Sequence, residues 1–141
     1  MLAAVKPGGW LMLEEPDYIC AAPDSSMTAT ATALSQKGWA ALFAQLKARG
    51  YDTEFGRHLY HDLSVHQLDE LQAEGFVAMQ VGGQPSARVW RLTFEQMMEQ
   101  VIEAGLLTAR ESDDYRALLE SPGYRWLEPM MMTAWGRRPR A

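Results

Sequence analysis

The alternation of apolar and polar positions first becomes distinctive at Trp10-Leu11-Met12-Leu13, a run closed by Glu14, Glu15 and Pro16. An unbroken apolar run bounded by acids and a proline predicts a short strand, of the kind buried on both faces of a parallel sheet. Ahead of it, Lys6, Pro7, Gly8 and Gly9 predict a helix stop and a turn. Proline cannot continue a helix and restrains the residue before it, and glycine supplies backbone freedom for the reversal. The chain thus opens on what reads as the tail of a helix.

Beyond a loop that reaches about Met27, the pattern predicts a helix from Thr28 to Arg49, ended by Gly50. Trp39, Leu42, Phe43 and Leu46 form its apolar stripe. Its first half is small and polar, Thr28 to Thr32, and reads either as a lid or as an ordinary packed helix. Tyr51 to Asp62 predicts a second helix. Ser64 and Gln67 have capping-box spacing, with Leu63 and Leu68 placed as a hydrophobic staple, which predicts a third helix ending at Gly75. A strand over Phe76–Val81 follows, ended by Gly82-Gly83-Gln84-Pro85. Trp90, Phe94, Met97, Met98, Val101 and Ile102 keep the helical period through Ser86–Ala104, with a break near Leu92 allowed by a second box at Thr93 and Gln96. Thr108 and Glu111 open a further helix to Leu119, Ser121-Pro122-Gly123 turns the chain, and Met130–Trp135 predicts a closing strand.

The opening segment, Lys6-Pro7-Gly8-Gly9 before an apolar strand and acids, resembles the lead into the fifth strand of class I S-adenosylmethionine-dependent methyltransferases. The closing Ala134-Trp135-Gly136-Arg137-Arg138-Pro139 is similar to the last strand of a subgroup of that family. The resemblance implies an α/β fold: the C-terminal portion of a Rossmann-like seven-stranded sheet, comprising its last three strands with a terminal antiparallel pair, plus a helical insert. On that expectation residues 1–141 are a single partial domain. It has the fifth strand within 1–17, the insert and last core helix in 18–75, a strand at 76–81, helices over 86–121 and the terminal strand at 129–136. The resemblance further implies a methyltransferase acting on a small-molecule acceptor, with S-adenosylmethionine as the methyl donor of the complete enzyme. The cofactor-binding half would precede Met1, so no cofactor-binding residue is expected in this chain, and the chain alone is expected to be inactive.

Composition narrows the alternatives. A net charge of −5 over 141 residues argues against a general nucleic-acid binder, and the arginines of Arg137-Arg138-Pro139-Arg140 read as a short solvated tail. The single Cys20 excludes an internal disulfide framework and fits a reducing, cytoplasmic setting, with the thiol as a small hydrophobe. No stretch reaches the ~18 apolar residues of a membrane span. A rival to chemistry is a binding or oligomerisation module, because a fifth strand without its neighbours is an open apolar edge that invites a homodimer.

In open α/β sheets ligands lie beyond the carboxyl ends of the strands, which singles out Glu14, Glu15, Asp17 and Tyr18. Methyl transfer gains mainly from alignment and exclusion of water, with a base where a hydroxyl or amine loses its proton. Asp17 is the first candidate for that base and Glu14 the second; solvated or capping carboxylates are the plainer alternative. Tyr18, Trp39, Phe43 and Trp90 are candidates to line an apolar acceptor cavity, against ordinary core packing. His58, His61 and His66 match no zinc spacing, and no metal site is expected. Gly82-Gly83 lacks the spacing of a phosphate loop.

Overall fold

The computed structural model describes residues 1–140 as a mixed α/β chain of four helices and two small antiparallel sheets. In chain order the elements are β1 (Trp10–Asp17), β2 (Ala22–Pro23), α1 (Ala29–Ala48), α2 (Phe55–Ser64), β3 (Asp69–Phe76), β4 (Met79–Val81), α3 (Arg88–Glu103), α4 (Ala109–Glu120), β5 (Arg125–Leu127) and β6 (Met130–Arg137). They divide into two compact units. One comprises Met1–Ile19, Thr53–Val77 and the segment from Pro129 on; the other comprises Cys20–Asp52 and Ala78–Glu128.

The first unit is built on a sheet in the order β1-β6-β3, with the terminal strand antiparallel to both neighbours. Side chains alternate across it. Leu11 and Leu13 turn toward α2, whose buried Leu59 and Leu63 meet Ala134 of β6, with Leu71, Ala73 and Met132 packed around them. Trp10 and Met12 turn the other way and are 52% and 61% exposed. The expected burial on both faces within a parallel sheet is therefore corrected: β1 is an antiparallel edge strand with one covered face. It also runs on through Glu14, Glu15 and Pro16. An edge position tolerates the missing proline N–H, so Pro16 does not end the strand. Gly56 lets the start of α2 lie directly on β1, since a Cβ there would stand 2.7 Å from the Glu15 carbonyl oxygen.

The arginines that end and follow β6 are not a free tail. Arg137 donates from Nε to the Gly8 carbonyl at 2.9 Å, and Arg138 from Nη1 to the Val5 carbonyl at 2.6 Å. The Arg137 guanidinium also lies 5.9 Å from the centre of the Trp10 ring. The Lys6-Pro7-Gly8-Gly9 turn is thus fastened to the end of the terminal strand.

Two further sequence expectations fail in this unit. Ser64 does not open a helix but ends α2, its hydroxyl donating back to the His61 carbonyl at 2.6 Å. Gln67 takes φ 53°, and Asp69–Phe76, rich in helix formers, becomes β3 because pairing with β6 outweighs local propensity. The last core helix is therefore α2. The single strand expected over Phe76–Val81 is two: Phe76 ends β3, and Met79–Val81 is β4 of the other unit.

The second unit packs α1, α3 and α4 against one another, beside a sheet in the order β2-β5-β4. The helices expected here are present. The Thr28 hydroxyl caps α1 by accepting from the Ala31 N–H at 3.2 Å. Thr108 and Glu111 form a complete capping box at the start of α4. No break occurs near Leu92; Thr93 donates to the Val89 carbonyl within a continuous α3. Phe94 and Tyr115 meet edge to face at 4.9 Å in the core, and Gly38 of α1 lies flat against the Tyr115 ring. The short strands β2 and β5, of two and three residues, carry too little pattern to be seen in the sequence.

Candidate functional site

Asp17 ends β1 with a fully buried side chain. Arg57, in the first turn of α2, donates from Nε to Oδ2 at 2.6 Å and from Nη2 to Oδ1 at 2.9 Å. The Ile19 N–H reaches Oδ1 at 3.2 Å, and Glu54 holds the far side of the same guanidinium at 3.6 Å. Both carboxylate oxygens are thus committed in a charge-assisted, bidentate pair. Buried and ion-paired in this way, Asp17 acts as the clasp between the strand end and α2, and an acceptor group would have to displace the guanidinium or reach the one acceptor position the three donors leave. The neighbouring Tyr18 N–H donates to the Thr53 carbonyl at 3.0 Å, lacing the two segments together at the same point.

Glu14 lies on the exposed face of β1, opposite Thr133 of β6, whose hydroxyl donates to it at 3.0 Å. It is the one of the two candidate bases that solvent reaches. Glu15 is half-buried on the opposite face.

Trp39, Phe43 and Trp90 belong to the second unit, and the structure brings the three together. Trp39 is buried, with ring centres 5.4 Å from Phe43 and 5.1 Å from Trp90, the latter edge-on. Trp39 is therefore core, whereas Phe43 and Trp90 are half-buried at its margin. Glu128 joins them, accepting from Gln80 Nε2 at 2.9 Å and from the Trp90 indole N–H at 3.4 Å. An apolar wall with one carboxylate at its edge suits an aromatic or amine-bearing small molecule. The candidates thus fall in two places: Glu14, Asp17 and Tyr18 in the sheet unit, and Trp39, Phe43 and Trp90 in the helical unit.

Deeper in the second unit the Ser35 hydroxyl and the Tyr124 phenol share a hydrogen bond of 2.5 Å, and Tyr124 stacks on Trp126 at 4.6 Å. Burial pushes the Tyr124 phenol above its ordinary range, while Ser35 and the nearby Trp39 indole pull it back. Burial holds the Tyr115 phenol well above that range. Both stay protonated at neutral pH and serve as packing groups.

Sequence reasoning missed Arg57, Gln80 and Glu128. Nothing local marks them, since their partners lie between 38 and 48 residues away in the chain. Among the described residues, no three His, Cys, Asp or Glu side chains, those of His58, His61 and His66 included, lie together as a ligand set. Among the same residues no helix is long and apolar enough to cross a membrane. Set against protein-family models and against curated proteins, the chain matches none.

Proposed function

We propose that this chain is the C-terminal, acceptor-side portion of a cytoplasmic class I S-adenosylmethionine-dependent methyltransferase that acts on a small molecule. The observation that carries the reading is the relation of the two terminal segments. The Lys6–Gly9 turn leads into β1, and the last strand, β6, lies antiparallel between β1 and β3. These are the segments on which the family resemblance rests. That leaves β1 with a free outer edge, which in this reading receives the parallel strands of the cofactor-binding half.

The chain's own residues do not fit the cofactor. Both sheets are antiparallel, so among the described residues no strand-to-helix crossover of a parallel pair offers backbone amides to a nucleotide-like group. The Asp17 oxygens are taken by Arg57. In the complete enzyme the contribution of this part is binding and orientation of the acceptor. Phe43 and Trp90 supply apolar surface, Glu128 orients a donor group, and enclosure excludes water from the substitution.

Two measurements test this. The gene sequence ahead of Met1 should encode, in frame, a glycine-rich loop between a strand and a helix; its absence overturns the reading. Calorimetric titration of this chain with S-adenosylmethionine should show no saturable heat, and micromolar binding would count against a partial domain.

A second reading is favoured by the free edge of β1 and by exposed Trp10 and Met12: a non-catalytic module that self-associates through this strand. Light scattering after size exclusion separates the two, since a strict monomer is incompatible with stable edge pairing.

A further inference from the structure

The helical unit holds a cleft that none of Trp39, Phe43, Trp90 and Glu128 lines. It is a half-open depression of about 450 Å³, within the size range of small-molecule sites, and Gly83, Gln84, Arg88, Arg91, Leu119 and Glu120 are among its walls. Gly83 gives it a wall of bare main chain. It sits at φ 73°, a Cβ there would come 2.7 Å from the Glu120 carbonyl oxygen, and its N–H is spent on the Leu119 carbonyl. The turn is thereby locked against the end of α4.

Two guanidiniums face this space, and they differ in commitment. Arg91 is held by Glu95 at 2.5 Å and reaches Glu120 at 3.5 Å. No described residue pairs with Arg88. A cation in a concave site without a protein counterion is a ready anchor for an anion, and a guanidinium fork matches carboxylate and phosphate oxygens two at a time.

The geometry points to a binding site for a small anion, a molecule carrying a carboxylate or a phosphate group, in this cleft. Arg88 is its primary anchor and Arg91 its second. The Glu120 contact is long and the Glu120 side chain is 58% exposed, so exchanging it for a ligand oxygen costs little. Glu95 keeps Arg91 in place during that exchange. The Glu120 carboxylate also limits the ligand, because it repels a dense polyanion such as a nucleic-acid backbone. The inference concerns the helical unit alone and stands whether or not the methyltransferase reading holds.

The test is amide NMR on the full chain, titrated separately with inorganic phosphate and with benzoate, against sodium chloride at matched ionic strength. Saturable shifts confined to residues 82–91 and 119–121 are expected from at least one probe, and which probe saturates identifies the preferred group. Arg88→Ala and Arg91→Ala should each weaken binding about tenfold, Arg88→Lys less, and Glu120→Gln should tighten it. Unchanged shifts elsewhere in each spectrum verify that the variants remain folded. Responses no larger than those to chloride, or an Arg88→Ala variant that binds like the parent, would overturn the site.

Discussion

Arg57 grips Asp17 through two nitrogens, at 2.6 and 2.9 Å, across an interval of 40 residues. The carboxylate is buried, while the Arg57 side chain is 41% exposed. Removing the arginine leaves a buried charge with one backbone N–H for company. Arg57→Ala should therefore cost about 2–3 kcal/mol, below the largest losses seen for fully buried pairs because water reaches the guanidinium side. Asp17→Asn/Arg57→Ala should recover part of that loss in urea unfolding. A change under ~0.5 kcal/mol would show that the clasp is not formed in solution.

Gly38 and Tyr115 make the second prediction. A Cβ on Gly38 would sit 2.5 Å from three atoms of the tyrosine ring, which is buried and pinned by Phe94. Alanine in a helix interior gains up to ~1 kcal/mol over glycine, but overpacking a rigid ring costs more. Gly38→Ala should be net destabilising by about 1–2 kcal/mol. Adding Tyr115→Leu should lessen the penalty specific to the alanine. A more stable Gly38→Ala protein in thermal melts would contradict the packing.

Ser35 and Tyr124 are each other's partner inside the helical unit. Tyr124→Phe strands a buried hydroxyl and should cost about 1–2 kcal/mol; Ser35→Ala on that background removes the stranded group and should restore some stability. Additive losses in denaturant unfolding would mean that the two groups do not interact.

Lys37 and Glu111 join α1 to α4 at 2.5 Å, and Glu111 also closes the Thr108 capping box. The lysine and the two Thr108 donors lower the glutamate from its usual 4.5 to about 2. The folded value lies below the unfolded one, so the contribution is fully present above pH 4.5 and is lost as pH falls toward 2. The stability gap between the parent and Glu111→Gln should accordingly be flat near neutrality, close over that acid interval, and shrink with added salt. A gap that widens on acidification would reverse the sign and refute the assignment.

The chain itself announces α1, α3 and α4, since their signals are local: apolar residues at helical spacing, and threonine caps followed by Ala31 and Glu111 within a single turn. The turn at Lys6–Gly9 and strands at both ends of the sequence are equally legible, because proline, glycine and short apolar runs act through nearest neighbours. Long-range pairing decided the rest. Asp69–Phe76 carries helix-forming residues and becomes β3 only because β6 offers it a ladder, and the exposed Trp10 and Met12 are set by which face of β1 meets α2. The chemistry of the candidate residues divides the same way. Composition could nominate Asp17, Glu14 and the aromatics, but whether a carboxylate is free or locked depends on which cation the fold brings to it, and no local pattern encodes a partner 40 residues further along the chain, beyond α1.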